Sequence, residues 1–441
     1  MTRCHIIPPF ILSRLAEQTD DDEVRGYARS TLELDDAIRT RRRQRGSRPS
    51  GATQGDRPDR AIHDARNTRD LPGELVRAEG DDPTGDEAVD EAYDGSGLAW
   101  TLFREDYERD SYDGDGHRIS ATVHYERNYA NAFWDGEQLV FGDGDGRIFQ
   151  RFTKAPDVVV HEFTHAVTEH TAGLLYEGQS GALNESVSDV FAVLAVQKAN
   201  DETADEASWL IGEGLFTENV NATALRSMKE PGTAYDDPLI GTDPQPGHMD
   251  DYVETEEDNG GVHINSGIPN RAFHLAATGI GGHAWEQAGW IWYATLTDPR
   301  LEADADFARF AELTLQVAEQ LFGPDSTEAR AVRDAWSGVG VEVVGAPAPS
   351  PGGHRVAVRR TGGFAGIPVD CSLDTGTAPN GREIDELLAG IDLDTVEHSS
   401  TPRPDGYAYA IDVDGRVVTL YEHDLTPDLR ALVDLVLSSG S

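Results

Sequence analysis

The spacing of hydrophobic residues divides this chain into helical and strand-rich stretches. Apolar positions recur about every 3.6 residues in ILSRLAE and VRGYARSTLELDDAIRT, which predicts a small helical segment over residues 1 to about 40. Between 61 and 155, short alternating stretches broken by Gly and Asp predict antiparallel strands and hairpins. From 157 to about 340 the pattern is mainly helical, as in FARFAELTLQVAEQLF. The pattern therefore predicts an α+β protein in which a β-rich part precedes a helical part.

Two stretches without periodicity separate these parts from their neighbours. RTRRRQRGSRPSGATQGDRPDR is basic and rich in Gly, Ser and Pro, which is typical of an exposed linker that proteases cut. GAPAPSPGG leads to strands, a hairpin turn at Asp414-Gly415 and a last helix that begins at Thr426-Pro427. We therefore predict five segments: an amino-terminal segment with its linker at 1–50, a β-rich lobe at 51–156, a helical lobe at 157–344, a linker at 345–353 and an α+β module at 354–441.

The amino-acid composition argues against nucleic acids and membranes as partners. The 80 acidic and 37 basic residues give a formal charge of -43, which repels nucleic-acid phosphates and anionic membranes. Only Lys154, Lys198 and Lys229 are lysines, and sparse lysine with abundant Asp, Glu and Arg is typical of proteins adapted to high salt. We expect no membrane span, because no run approaches about 18 apolar residues. Two cysteines make no disulfide framework.

A candidate metal site lies in the stretch VVVHEFTHAVTEH. His161 and His165 stand four residues apart, so on a helix both imidazole rings can reach one metal ion. Glu162 would point toward the same metal and act as a base on water. Nineteen residues separate His165 from Glu185, the third ligand of a two-His, one-Glu zinc site. Asp189, one helical turn after Glu185, is expected to orient His161.

These residues, together with several motifs in a fixed order, resemble the thermolysin family of zinc metallopeptidases. NAFWDG resembles the family's substrate-binding edge strand, and AGLLYEGQSGALNES resembles the stretch from the catalytic tyrosine to the third ligand. LRSM matches the substrate-contacting arginine, and EDNGGVHINSGIPNRAF the catalytic histidine. DPQPGHMDDY and Pro8-Pro9-Phe10 resemble the protealysin-like branch, and RRTGGFAGIPVD resembles emfourin, a small inhibitor of such peptidases. The resemblance implies a two-lobed fold with the active-site helix between the lobes.

The resemblance also implies a role for each matched residue. Glu162 would be the general base, His263 and Tyr176 would stabilise the oxyanion, and Asp258 would orient His263. The implied substrate-binding residues are Asn131, Ala132, Phe133, Trp134, Val158, Leu225 and Arg226. Asp157 and Glu213 match two acidic ligands of a calcium site. Val196, Ser208 and Leu210 stand where further carboxylates would be, which argues against a complete calcium site.

The function implied is a neutral zinc endopeptidase that prefers bulky hydrophobic residues after the cut and is made as a latent precursor. Peptides and proteins would be its substrates, and its own amino-terminal segment and carboxyl-terminal module would be intramolecular inhibitors. Cys4 could place a thiolate on the zinc as a switch. The family implies secretion, whereas the start of the chain shows no secretory signal, so a cytoplasmic location stays open. The rival functions are a catalytically silent binding protein and a zinc aminopeptidase.

Overall fold

The computed structural model describes residues 5–42, 57–343, 354–362, 369–375, 381–388, 391, 407–413 and 416–438. The chain divides into two compact units, Met1–Val343 and Val344–Ser441. The predicted linker at 345–353 and the predicted hairpin turn at Asp414-Gly415 lie outside the described residues. No helix among the described residues is long and apolar enough to cross a membrane.

The amino-terminal segment forms two helices, as the apolar spacing predicts. Helix α1 spans Pro9–Gln18 and begins with a proline, whose fixed φ suits the first helical turn. Helix α2 spans Asp22–Arg42. The Asp21 carboxylate accepts hydrogen bonds from the backbone N–H groups of Glu23 and Val24, which caps this helix. Both helices contribute buried apolar residues to the core of the first unit.

A five-stranded sheet forms the core of the β-rich lobe, with the order β2-β1-β3-β5-β4. Its strands are β1 at Arg60–Asp64, β2 at Glu74–Ala78, β3 at Ile119–Val123, β4 at Ala132–Trp134 and β5 at Leu139–Phe141. Two of the pairs, β1 with β3 and β3 with β5, are parallel, so the expectation of purely antiparallel strands is wrong. Strand β4 lies at one edge of the sheet.

The parallel pairing of β1 with β3 follows from a helix that the sequence pattern did not predict. Helix α3 spans Glu87–Tyr107 and lies between β2 and β3 in the chain, so it provides the crossover that parallel pairing requires. Its sequence contains Gly95 and Gly97, which have low helix propensity. A Cβ at Gly95 would lie 2.8 Å from Val159 Cβ, so the glycine allows close packing between helices. Tertiary contact therefore outweighs local propensity here.

The rest of the first unit is mainly helical, as predicted. Helices α4 and α5 carry the candidate metal ligands and are buried along most of their length. The longer elements are α4 at Pro156–Glu169, α5 at Gly178–Asn200, α6 at Asp258–Asn265, α7 at Gly267–Ile280, α8 at Gln287–Leu296, α9 at Phe307–Phe322 and α10 at Thr327–Gly338. Two short ribbons pair β6 at Leu210–Ile211 with β7 at Arg226–Ser227, and β8 at Asp236–Asp237 with β9 at Gly241–Thr242.

The second unit is an α+β module. Its four-stranded antiparallel sheet has the order β11-β10-β12-β13. Its elements are β10 at Arg355–Gly362, β11 at Val369–Asp374, α11 at Gly381–Leu388, β12 at Tyr407–Val413, β13 at Arg416–Tyr421 and α12 at Pro427–Ser438. Apolar residues of the sheet and of both helices form its core. The Thr426 hydroxyl accepts a hydrogen bond from Leu429 N at the predicted start of α12.

His124 joins three parts of the β-rich lobe. It follows β3 with a positive φ of 52°. Its Nδ1 lies 2.9 and 2.8 Å from the two carboxylate oxygens of Asp143, in the DGDG stretch. Its Nε2 lies 3.1 Å from Asp86 Oδ2, and Asp86 also caps α3. The hydrogen bond that the Asp143 carboxylate accepts raises the pKa of His124 to about 9, although burial opposes that shift.

We therefore predict that His124 stabilises the fold only while it is protonated. The unfolded chain releases this proton near pH 6.5, so the stabilisation is complete below pH 6.5 and is lost as the pH rises through about 9. His124→Asn, which tolerates positive φ, should cost about 2 kcal/mol at pH 6 and much less at pH 10. Denaturation of both proteins at the two pH values measures this, and an equal cost at both would contradict it.

Candidate active site

Two buried helices bring three metal-binding side chains together. Helix α4 supplies His161 and His165, and α5 supplies Glu185. The two imidazole Nε2 atoms lie 3.0 Å apart, and the Glu185 carboxylate oxygens lie 3.4 Å from His161 Nε2 and 3.5 Å from His165 Nε2. Among the described residues, this is the one group of three or more His, Cys, Asp or Glu side chains with ligand atoms within 4.8 Å of each other.

The proton positions on the imidazoles suit a metal ion. His161 Nδ1 lies 2.9 Å from Asp189 Oδ1, and His165 Nδ1 lies 2.8 Å from the amide oxygen of Asn184. These acceptors require the proton on each Nδ1, so the Nε2 lone pairs point at each other. The buried Glu185 Oε2 has no hydrogen-bond partner. Two imidazole nitrogens and one carboxylate therefore converge, and this is a donor set that zinc prefers.

Asp189 connects the metal ligands to the substrate-binding residues. Beside His161, its carboxylate accepts two hydrogen bonds from Arg226, at 2.8 Å each, and one from Asn270 Nδ2 at 2.9 Å. Burial alone would raise the pKa of Asp189, but the Arg226 charge and His161 lower it to about 2. One buried carboxylate thus links α4, α5, β7 and α7.

Glu162 lies on α4 between the two histidines and is completely buried. Burial raises the pKa of Glu162 to about 8, because a carboxylate loses hydration there. The nearby His161 opposes this shift. The carboxylate therefore has a high affinity for a proton, as a general base requires.

A left-handed turn positions the second group of catalytic candidates. Asp258, Asn259, Gly260 and Gly261 all have φ between 51° and 82° at the start of α6. A Cβ at Gly260 would lie 3.0 Å from Gly178 N, so the turn packs against the start of α5. Asp258 then accepts a hydrogen bond from the backbone N–H of His263 over 2.9 Å, and its other oxygen lies 2.6 Å from His263 Nδ1.

His263 faces acceptors through both ring nitrogens. Its Nδ1 faces the Asp258 carboxylate, and its Nε2 lies 2.7 Å from the carbonyl oxygen of His5. Neither acceptor can donate, so the ring carries both protons. Burial lowers the pKa of His263, but the charges of Asp258 and Glu185 outweigh burial and raise it. The Tyr176 hydroxyl lies 3.2 Å from the same Nε2 and donates to Glu185.

The amino-terminal segment occupies the cleft beside these groups. Ile6 N donates to Ala132 O over 3.2 Å, so the segment extends the sheet at its β4 edge. Ile7 N donates to Asn131 Oδ1 over 2.9 Å, and Arg226 Nη1 donates to Ile6 O over 3.2 Å. Asn131, Ala132 and Arg226 therefore hold a peptide backbone whose carbonyl group at residue 5 points at His263.

The other substrate-binding candidates lie on two sides of the edge strand. Phe133 packs edge-on against the His5 ring, with the ring centres 5.5 Å apart. The Trp134 ring faces the opposite side, where it packs on Tyr112 and donates to Glu169. Successive side chains of a strand alternate, so Phe133 and Trp134 lie on opposite faces of the edge strand, and a role of Trp134 in the cleft wall stays a prediction. Val158 and Leu225 are buried in the apolar cluster that contains Ile6 and Ile7.

The structure describes the two predicted calcium ligands but not the predicted zinc-switch cysteine. Asp157 is buried, and its carboxylate accepts hydrogen bonds from the backbone N–H groups of Val158 and Gly212. Glu213 is exposed, and the two residues belong to no cluster of three acidic ligands within the described part of the chain. Cys4, the predicted zinc switch, lies outside the described residues.

Sequence reasoning missed three residues of this site. Asn184 orients His165. It directly precedes Glu185 in the chain, so its position next to a predicted metal ligand could have indicated this role. Asn270 contacts Asp189 across 81 positions, and Asp35 contacts Asn131 across 96. No local pattern marks such distant partners. Their roles become visible only in the folded chain.

Comparisons with known proteins agree with this geometry. The family model of the thermolysin metallopeptidase catalytic domain matches residues 37–169, and that of the thermolysin metallopeptidase alpha-helical domain matches residues 172–341. The emfourin model matches residues 358–437.

Individual relatives cover most of the chain. An extracellular metalloprotease of Pectobacterium carotovorum subsp. carotovorum is 51% identical over 340 residues, which span 77% of this chain and 97% of that protein. Protease PrtS of Photorhabdus sp. (strain Az29) is 46% identical over 345 residues, which span 77% and 92%. A solved structure, the precursor of protealysin from Serratia proteamaculans, is 51% identical with a TM-score of 0.71, covering 77% of this chain and 99% of that chain.

The Asp189 network generates a prediction about metal affinity. Asp189→Asn should weaken zinc binding roughly 10–100-fold, because His161 loses its charged partner and Arg226 is left with its charge unpaired. Competition with a chelator measures the affinity. Asp237→Asn is the control, since Asp237 is also buried but accepts only from the backbone at Asn221 and Leu239. Equal weakening in both variants would show a general loss of stability instead.

Proposed function

Since this chain belongs to the thermolysin family of metallopeptidases, we propose that it hydrolyses internal peptide bonds with zinc held by His161, His165 and Glu185. The observation that carries the proposal is the convergence of these three ligands beside Glu162. The chain is a neutral metalloendopeptidase in precursor form, as its relatives indicate. The proposal concerns the residues that act, the substrate preference and the control of activity.

Each catalytic candidate has a defined task in this reaction. When bound, the zinc ion supplies Lewis-acid activation of water and of the scissile carbonyl. Glu162 takes the proton of the attacking water and later passes it to the leaving amine. His263 and Tyr176 donate hydrogen bonds to the carbonyl oxygen as negative charge develops on it. Asp258 keeps the His263 ring oriented for this donation. Asn131, Ala132 and Arg226 hold the substrate backbone.

The preferred residue after the cut follows from the way in which the amino-terminal segment binds. The His5 carbonyl oxygen lies at His263, so Ile6 stands where the first residue after the cut would stand. Ile6 is completely buried, and Val158 and Leu225, the residues predicted to line this pocket, are buried apolar residues of the same unit. This supports a preference for bulky hydrophobic residues at that position.

Latency has the same structural basis. A segment that pairs with Ala132, Asn131, Arg226 and His263 excludes any other peptide from these groups. Cleavage in the arginine-rich stretch beyond Ile38 would free the cleft. Cys4 directly precedes the bound segment, and we keep the thiolate switch as part of the proposal.

Composition and relatives support two further parts of the proposal. The charge of -43 with only three lysines supports activity at high salt, where like charges on the surface are screened. The relative named extracellular metalloprotease supports export from the cell. Comparing the enzyme in cells and in medium tests the second point.

The general-base role yields a direct test. Glu162→Gln should keep the zinc content of the wild type and reduce turnover of an internally cleaved, end-blocked peptide at least about 100-fold. His161→Ala should lose zinc as well, because it removes a ligand. Metal analysis and peptide assays of both purified variants measure this. Wild-type turnover by Glu162→Gln would contradict the mechanism, and cleavage only of peptides with a free amino terminus would indicate an aminopeptidase.

The carboxyl-terminal module is proposed to inhibit the enzyme. Residues 358–437 match emfourin, and the linker of about nine residues reaches at most roughly 30 Å. Such a tether raises the effective concentration to roughly millimolar where the span permits binding. In the enzyme freed of its amino-terminal segment, truncation after Val344 should therefore raise activity on protein substrates, and the separate module should inhibit the truncated enzyme. Equal activity with and without the module, and no inhibition in trans, would make it an accessory domain.

A further inference from the structure

Three buried hydrogen-bond donors beside the edge strand take their acceptors from the amino-terminal segment. The Tyr129 hydroxyl donates to Asp35 Oδ1 over 2.5 Å, and Asn131 Nδ2 donates to Asp35 Oδ2 over 2.9 Å. The backbone N–H of Ala130 donates to Thr31 Oγ1 over 3.3 Å. All five residues are at most 4% exposed. Helix α2 thus places a carboxylate and a hydroxyl against the donors of Tyr129, Ala130 and Asn131, which together form a receptor for these groups.

The receptor is matched to a carboxylate. Both oxygens of Asp35 are used, one by a hydroxyl and one by an amide. Burial and the Asp35 charge hold the pKa of Tyr129 well above its usual range, so the phenol stays a donor. Beside it, Leu34 packs into an apolar cluster formed by Tyr125, Tyr129, Phe133 and Val140.

The receptor adjoins the primed side of the cleft, where the residues after the cut bind. Asn131 Oδ1 accepts from Ile7 N, while Asn131 Nδ2 also lies 3.4 Å from Ile7 O. Ile7 is the second residue after the carbonyl group that His263 holds. A carboxylate at the position of Asp35 would therefore belong to the second or third residue after the cut, or to a chain that ends there.

Removal of the amino-terminal segment leaves these donors without their acceptors. Water reaches the donors in the open cleft, but a ligand that covers them without offering an acceptor buries them unpaired, so a ligand that supplies acceptors binds better than one that does not. We propose that in the mature enzyme Tyr129, Ala130 and Asn131 form a subsite for a substrate carboxylate just after the first primed residue. The proposal rests on the endopeptidase function and on removal of the segment. An acidic side chain or a terminal carboxyl group would both satisfy it.

The negative charge of the whole protein opposes this preference for a carboxylate. The repulsion acts over a long range, whereas the hydrogen bonds of the subsite act only at contact. The formal charge of -43 repels an acidic substrate over long range. Direct hydrogen bonds act at contact, while salt reduces the screening length from about 10 Å at 0.1 M to about 3 Å at 1 M. The preference for a carboxylate should therefore be larger at high salt.

Three pairs of end-blocked peptides test the subsite on the zinc-loaded enzyme, activated by cleavage in the arginine-rich stretch. The pairs share Leu after the cut and differ by Asp against Asn at the second position, by Asp against Asn at the third, or by a free against an amidated carboxyl group on the second residue. We expect at least one carboxylate peptide to have a roughly tenfold higher kcat/KM at 1 M salt. The favoured pair identifies the source of the carboxylate.

Equal kcat/KM within all three pairs would overturn the subsite, whereas failure to cut any peptide would contradict the endopeptidase function instead. Tyr129→Phe should bring the favoured ratio close to one. Tyr107→Phe is the matched control, because its buried hydroxyl donates to Trp285 O, on another part of the unit, and it should keep the wild-type ratio. A Tyr129→Phe ratio equal to that of the control would also overturn the proposal. If that variant does not fold, the peptide pairs still test the subsite on the wild-type enzyme.

Discussion

The buried Asp189 carboxylate is the interaction on which the rest of the active site depends. It accepts hydrogen bonds from Arg226 and Asn270 and orients His161, so a candidate metal ligand and a candidate substrate-binding arginine share one acceptor. A buried charge is tolerated only when it is paired and hydrogen-bonded, and here Arg226 provides the opposite charge. The position of the metal and the position of the peptide backbone are thereby coupled through a rigid network.

The amino-terminal segment forms hydrogen bonds with residues of the same site. It presents a backbone carbonyl to His263, a second carbonyl to Arg226 and an N–H group to Asn131, as a substrate would. Helix α2 adds the Asp35 carboxylate and the Leu34 side chain at neighbouring positions. The groups that this segment places in the cleft therefore indicate which chemical groups the cleft can accept.

The parts of this structure that sequence reasoning reached are those with a local signature. His161 and His165 share one helical face, and Asp189 follows Glu185 by one turn, so spacing alone brings each pair together. Asn270 and Asp35 reach the site only through the fold. Helix α3 was missed because Gly95 and Gly97 weaken its local signal, while packing against Val159 requires a glycine at position 95. The parallel pairing of β1 with β3 depends on that helix and was missed with it.

The left-handed turn from Asp258 to Gly261 limits how this enzyme can be engineered. Two of its glycines have φ above 75°, and Gly260 lies against the backbone of Gly178. Side chains are strained in that conformation, and a Cβ has little room there. A library that randomises this loop to alter selectivity would therefore consist mostly of misfolded members.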